Sequence, residues 1–211
     1  MHVLIIGASG GIGLETITRS LVDGHQVRAF SRSSDQLQIS NPKLEKWRGN
    51  ALNLEEVENA LDGIDVVIQV LGVKTSELFR PINLFSESTR IIVSAMERLE
   101  VKRLIAVTGF GSGDSRKAIN CLQRIPFQLF LGRAYADKDI QEHLIISSQL
   151  DWTLVRPGVL TSGKFSGNYK IISDPSEWRN GIISRADVAD FLVRQMTEIE
   201  YLRLAPVLVN R

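Results

Sequence analysis

Cysteine is almost missing from this chain: Cys121 stands alone among 211 residues. No intrachain disulfide can form, so a reducing compartment is expected and the fold must be held by its own core. Long hydrophobic runs are missing too. The opening run covers only Val3 to Ile6, and no stretch approaches the roughly 18 apolar residues of a membrane span. Neither sign of charge dominates, since 25 basic side chains against 24 acidic ones leave +1. That balance gives no reason to expect nucleic acid or another polyanion. The three histidines, Cys121 and the scattered acids show no metal-ligand spacing, so no metal is expected. No internal repeat or low-complexity linker is present. The expectation is a cytoplasmic protein without a membrane or nucleic-acid partner, monomeric or homodimeric.

What is there suits one packed domain. Hydrophobic residues make up 44% and charged residues 23%, and the length fits a single α/β unit over residues 1–211. Short β-rich runs alternate with longer helical patterns. "HVLII", "QVRAF", "LEKWRGN", "DVVIQVLG", "RLIAVTG", "DWTLVRPG" and "APVLVN" read as strands. The patterns between them read as helices, including Leu84–Leu99, Asp137–Ser148 and a helix near the end N-capped by Ser184. This alternation predicts a doubly wound parallel sheet with helices on both faces. Two stretches, Gly111–Gly132 and Thr161–Gly181, have no clear pattern. Both follow strand C-termini, the edge where open α/β sheets bind ligands, and are read as substrate-covering insertions near 111–132 and 161–181.

The first strand runs into "GASGGIG", with glycines at Gly7, Gly10 and Gly13. Such a turn aims backbone N–H groups and the positive end of a helix dipole at one spot, with no β-carbon to block a pyrophosphate. Gly7, Ser9, Gly10, Gly11, Ile12 and Gly13 are therefore candidate cofactor-binding residues. The bland reading is a glycine-rich turn without a ligand, which the position between strand and helix argues against. The second strand ends "AFSRSS", with no acid and with Arg32 nineteen positions after Gly13. An acid there would bind ribose hydroxyls, whereas an arginine accommodates a 2′-phosphate. Arg32, flanked by Ser31 and Ser33, favours NADP(H) over NAD(H). The alternative is a solvated surface arginine.

Three later stretches extend the pattern: "GNALN" after the third strand, "VLG" at the end of the fourth, and "LDWTLVRPG" at the sixth. Together with the glycine turn they resemble the atypical short-chain dehydrogenase/reductases of the NAD(P)H-binding, NmrA-like group. The size and layout are close to the biliverdin reductase B/flavin reductase type. The resemblance implies a Rossmann-type fold. It also implies that Asn50 and Ala51 lie beside the adenine, Leu71, Gly72 and Val73 beside the adenosine, and Pro157 near the nicotinamide.

The same resemblance exposes what is missing. Short-chain dehydrogenases use Tyr-x-x-x-Lys, and counting back from "SSQLDWT" puts Lys138 at the lysine and Ala134 at the tyrosine. Tyr135 is one residue off, a rotation of about 100° on a helix, and is not expected to replace the lost hydroxyl. Glu142 is placed to pair with Lys138 at i+4. Gly109 stands where the biliverdin reductase B type has a serine, leaving Thr108 as the nearest hydroxyl and Ser112 as the second. Gly158 stands where that type has a histidine. Thr108 and Lys138 are the candidate catalytic residues, and Thr108, Gly109 and Lys138 also count toward the cofactor site.

A missing proton donor does not exclude hydride transfer to a flavin or tetrapyrrole, because solvent can supply the proton. The first insertion offers Ile119, Leu122, Ile125, Phe127, Leu129, Phe130 and Leu131 with Arg116, Lys117, Arg124 and Arg133. It can cover an aromatic, anionic acceptor, or serve as core or dimer face. The second offers Phe165, Tyr169 and Trp178 with the same ambiguity. The expected function is an NADPH-dependent oxidoreductase reducing a small planar acceptor such as a flavin or a tetrapyrrole-like molecule. The rival is a non-catalytic NADP(H)-binding redox sensor or assembly factor. An isomerase or epimerase is disfavoured, because it too wants the missing tyrosine.

Overall fold

The computed structural model describes residues 1–73, 81–119 and 121–210, without the side chains of 121–124 and 126–130. The chain runs β1 (His2–Ile6), α1 (Gly11–Val22), β2 (Gln26–Ser31), β3 (Leu44–Arg48), α2 (Leu54–Ala60), β4 (Val66–Gln69), α3 (Leu84–Arg98) and β5 (Arg103–Val107). It continues through α4 (Cys121–Ile146), β6 (Asp151–Pro157), β7 (Val159–Thr161), β8 (Tyr169–Ile172), β9 (Ile182–Ser184), α5 (Arg185–Arg194) and β10 (Val207–Asn210). The main sheet has the order β3-β2-β1-β4-β5-β6-β10-β8, and β7 pairs with β9 in a separate ribbon.

Alternation along β1 builds the layers. Val3 and Ile5 join a core with Ile12 and Ile17 of α1 and Val188, Phe191 and Leu192 of α5. Leu4 and Ile6 join the opposite core, with Val57 of α2, Ile92 and Met96 of α3 and Ile145 of α4. A strand buried on both faces reads as a continuous apolar run, as "VLII" does. Strand order reverses between β1 and β4, so a crevice opens there beyond the carboxyl ends of the strands. At the far end Ser184 caps α5, its Oγ accepting from the Asp187 N–H at 2.9 Å.

Two expectations need correction. The sheet is not wholly parallel: β8 lies antiparallel to β10 at the edge, with Val207 opposite Ile172. Its four residues lie in a segment full of glycine, proline and serine, which hid the strand. The helix expected from Asp137 begins at Cys121. Pro126 and Gly132 interrupt the pattern, and the apolar residues there are not confined to one stripe. Among the described residues no helix is long and apolar enough to cross a membrane, and no cluster of three or more His, Cys, Asp or Glu could hold a metal.

Candidate functional site

The crevice is a cleft of about 810 Å³ running from the glycine turn to β6. Its described lining includes Gly7, Ser9, Gly10, Gly11, Ile12, Ser31, Arg32, Ser33, Asn50, Ala51, Leu71, Gly72, Val73, Thr108, Lys138 and Pro157. Elements distant in sequence thus bring sixteen of the expected residues to one surface. Gly13 and Gly109 lie just behind it. A β-carbon at Gly13 would run into the carbonyl oxygen of Gly7, so glycine is needed for α1 to start this close to β1. At Gly7 the backbone has φ +96°, and a β-carbon would lie 2.7 Å from the Val70 carbonyl oxygen. Nothing lies within 4 Å of where a β-carbon on Gly10 would sit, so the turn is open to a ligand.

The charge of the cleft differs from that of the chain. Arg32, Lys138 and Arg185 line it, and no carboxylate is among its described lining residues. An almost neutral protein therefore presents a positively charged trough. The first turn of α1 also carries no acid, which leaves its dipole unopposed.

Toward β5 and β6 the site rests on a buried polar cluster. Glu142 of α4, 2% exposed, is gripped by Arg156 of β6, with Nε to Oε1 at 3.0 Å and Nη2 to Oε2 at 2.6 Å. The Thr108 hydroxyl donates to Glu142 Oε1 at 2.7 Å, and Ser112 Oγ lies the same distance away. Asp114 meets the other Arg156 nitrogen at 2.7 Å, and the Trp178 ring covers the guanidinium with its centre 5.0 Å away. Glu142 therefore does not pair with Lys138 as expected. A bidentate guanidinium fork outcompetes a single ammonium for a buried carboxylate, and Lys138 turns its Nζ to the Thr108 carbonyl instead. Thr108 lines the cleft, with its hydroxyl turned away into this cluster.

Tyr135 enters the cleft despite being one residue out of step. Ala134, Tyr135 and Lys138 all line it, and the Lys138 nitrogen lies 5.2 Å from the Tyr135 ring centre and 5.0 Å from that of Phe85. The reason is Gly109. A β-carbon there would lie 2.5 Å from the Tyr135 hydroxyl oxygen. The phenol thus fills the space a side chain at 109 would need, and one departure from the family pattern makes room for the other. The sequence signal was there in Gly109 and Tyr135 separately. Their contact joins two elements and was not visible.

Burial, with the Glu142 carboxylate adding to it, raises the Tyr135 pKa to about 12. Burial lowers that of Lys138 to about 8, against an opposing pull from Glu142. A Lys138 that holds the cofactor ribose would do so as a cation below that pH and as a neutral amine above it. Cofactor affinity is then expected to fall roughly three- to tenfold as pH rises through 8, reflecting the greater strength of charge-assisted hydrogen bonds. Titrations at pH 7 and 9.5 should show this for the native chain and not for Lys138→Met.

Neighbouring segments are fixed. Asp137 caps α3 from α4, accepting from the Phe85 N–H at 2.8 Å and from Ser86. Asp187 accepts from the N–H groups of Ser166 and Gly167, each at 2.9 Å, pinning the second insertion to α5. Phe165, Tyr169 and Trp178 are not among the described cleft lining. Phe165 instead lies over Arg19, Tyr169 donates to Asp190 at 2.8 Å, and Trp178 covers Arg156. In the first insertion Leu131 lines the cleft, Ile119 packs on the core near Phe110, and Arg116 pairs with Asp139 at 2.6 Å. The side chains of Leu122, Arg124, Phe127, Leu129 and Phe130 lie outside the described residues.

Comparison with known proteins gives the family and the shared fold. Residues 7–199 match the family described as NAD(P)H-binding. Over 113 residues the chain is 31% identical to a 3-beta-hydroxysteroid dehydrogenase of Mycolicibacterium neoaurum, covering 49% of this chain and 31% of that one. The structure of ChuY, an anaerobilin reductase from Escherichia coli O157:H7, superposes with a TM-score of 0.84 at 24% identity, covering 100% of this chain and 97% of that one. A short-chain dehydrogenase/reductase from Veillonella parvula DSM 2008, in complex with NADP, gives 0.81 at 18% identity, covering 99% and 94%. These structural likenesses show the shared fold. The chain belongs to the NAD(P)H-binding family.

Proposed function

We propose that the chain is an NADPH-dependent oxidoreductase acting on a planar, conjugated acceptor such as a flavin or a tetrapyrrole. The observation that carries this reading is the cleft itself, cationic at several points, without a carboxylate among its described lining, and ending in Tyr135, Lys138 and Pro157. The turn at Gly7–Gly13 fits a dinucleotide diphosphate, since it is open at Gly10 and would be blocked by side chains at Gly7 and Gly13.

In this reading Arg32, with Ser31 and Ser33, holds the 2′-phosphate. Asn50, Ala51 and Leu71–Val73 flank the adenosine. Asn50 already accepts from the Leu52 N–H at 3.1 Å, which holds its carboxamide in place at the rim. Lys138, braced on the Thr108 carbonyl, takes the ribose, and Pro157 with Thr108 and Gly109 backs the nicotinamide. When bound, NADPH supplies a hydride. The Tyr135 phenol keeps its proton across the neutral range and is placed to give it to the reduced acceptor, so that hydride and proton together complete a two-electron reduction. Thr108 acts through position rather than as an acid. The anaerobilin reductase relative lends support to a tetrapyrrole, and the relative in complex with NADP supports the choice of cofactor.

Arg32→Ala is expected to weaken NADPH binding by about 1.5–3 kcal/mol, the worth of a charge-assisted hydrogen bond, and to leave NADH almost unchanged. Equal losses for the two would show that Arg32 does not read the 2′-phosphate. Turnover is tested by following NADPH oxidation with FMN, biliverdin and quinones as acceptors. Tight NADPH binding with no oxidation by any of them would favour the non-catalytic sensor or assembly factor instead.

A further inference from the structure

Arg185 played no part in the expected site, yet it lines the same cleft as the glycine turn. It is the first residue of α5, where the helix dipole disfavours a cation. Among the described residues it forms no ion pair, and its one side-chain hydrogen bond, to Ser162 Oγ, is long at 3.3 Å. Its Nε lies 3.8 Å from where a β-carbon on Gly11 would sit. Gly11 and the preceding Gly10 are exposed. An arginine has thus been placed against its own helix dipole, without an acidic partner, beside an open loop of backbone donors. α1 and α5 pack on the same face of the sheet and share one core, so this juxtaposition is built into the fold.

We propose that Arg185 binds the diphosphate of the dinucleotide, closing over it from the side opposite the backbone N–H groups of the glycine turn. A planar guanidinium suits two phosphate oxygens at once, and a diphosphate supplies the negative charge that the site lacks. The role is separate from that of Arg32, which lies at the end of β2 and reads the 2′-phosphate. It rests on the dinucleotide reading of the cleft and not on turnover.

The test is direct binding of NADPH, NADH, ADP-ribose and 2′-AMP to the native chain and to Arg185→Ala and Arg185→Lys. Arg185→Ala should weaken the three diphosphate ligands alike, by roughly ten- to a hundredfold. It should leave 2′-AMP and the unliganded melting temperature unchanged, and Arg185→Lys should recover part of the loss. Unchanged binding of the three ligands, or a loss confined to NADPH and 2′-AMP, would overturn the assignment. If the native chain binds none of the four, the dinucleotide reading falls and this proposal with it. If it binds all of them and Arg185→Ala binds them as tightly, only this proposal falls.

Discussion

Glu142→Ala is expected to lower the free energy of unfolding by about 3–5 kcal/mol, because it leaves the Arg156 charge buried without its main partner. Arg156 is 2% exposed, so water cannot replace the lost carboxylate. Asp114 holds only one guanidinium nitrogen and is itself well exposed. For a chain of this length the loss corresponds to a melting temperature lower by roughly 6–20 °C. The effect should also reach the cleft. Thr108 and Ser112 would lose their shared acceptor, and the Thr108 carbonyl that holds Lys138 would be less firmly set. The double variant Glu142→Leu with Arg156→Met removes both charges and should be clearly more stable than Glu142→Ala. Thermal unfolding of the three proteins checks this. A loss below 1 kcal/mol for Glu142→Ala would mean that Asp114 and Trp178 suffice to hold Arg156.

Tyr135→Phe is expected to cut kcat about a hundredfold with NADPH affinity unchanged, at the low end of what a positioned proton donor contributes. The relation between Tyr135 and Gly109 allows a sharper test. Gly109→Ser alone puts a side chain into the space of the phenol oxygen, and should impair the protein by displacing Tyr135. Combined with Tyr135→Phe, the serine hydroxyl enters the volume the phenol oxygen vacates, and part of the activity should return. An additive loss in the double variant would separate the packing relation from any role in proton transfer. Activity of Tyr135→Phe equal to that of the native chain would leave proton delivery to solvent.

Local features of the site were legible in the sequence and long-range ones were not. The glycine turn and Arg32 are encoded by spacing within one strand–turn–helix unit, so Gly7, Gly10, Gly11 and Arg32 can be placed on one surface from the chain alone. Lys138 followed from counting against a landmark strand. The strand pattern was legible because β1, β4 and β5 are buried on both faces and read as plain apolar runs. By contrast, the start of α4 at Cys121 was obscured by Pro126 and Gly132. β8 is too short and too polar in its surroundings to announce itself. A one-residue offset turns the Cβ of residue 135 away from the position of the family tyrosine, but a long side chain beside a glycine still reaches the cleft. The Glu142–Arg156 pair and the approach of Arg185 to Gly11 join elements far apart in the chain, which no local pattern records.

Calorimetric titration of the purified chain with NADPH and with NADH at pH 7 tests the cofactor assignment. The cleft should bind one NADPH per chain, at least tenfold more tightly than NADH, and Arg32→Ala should erase the difference. Equal affinities, a preference for NADH, or no binding of either nucleotide would contradict it.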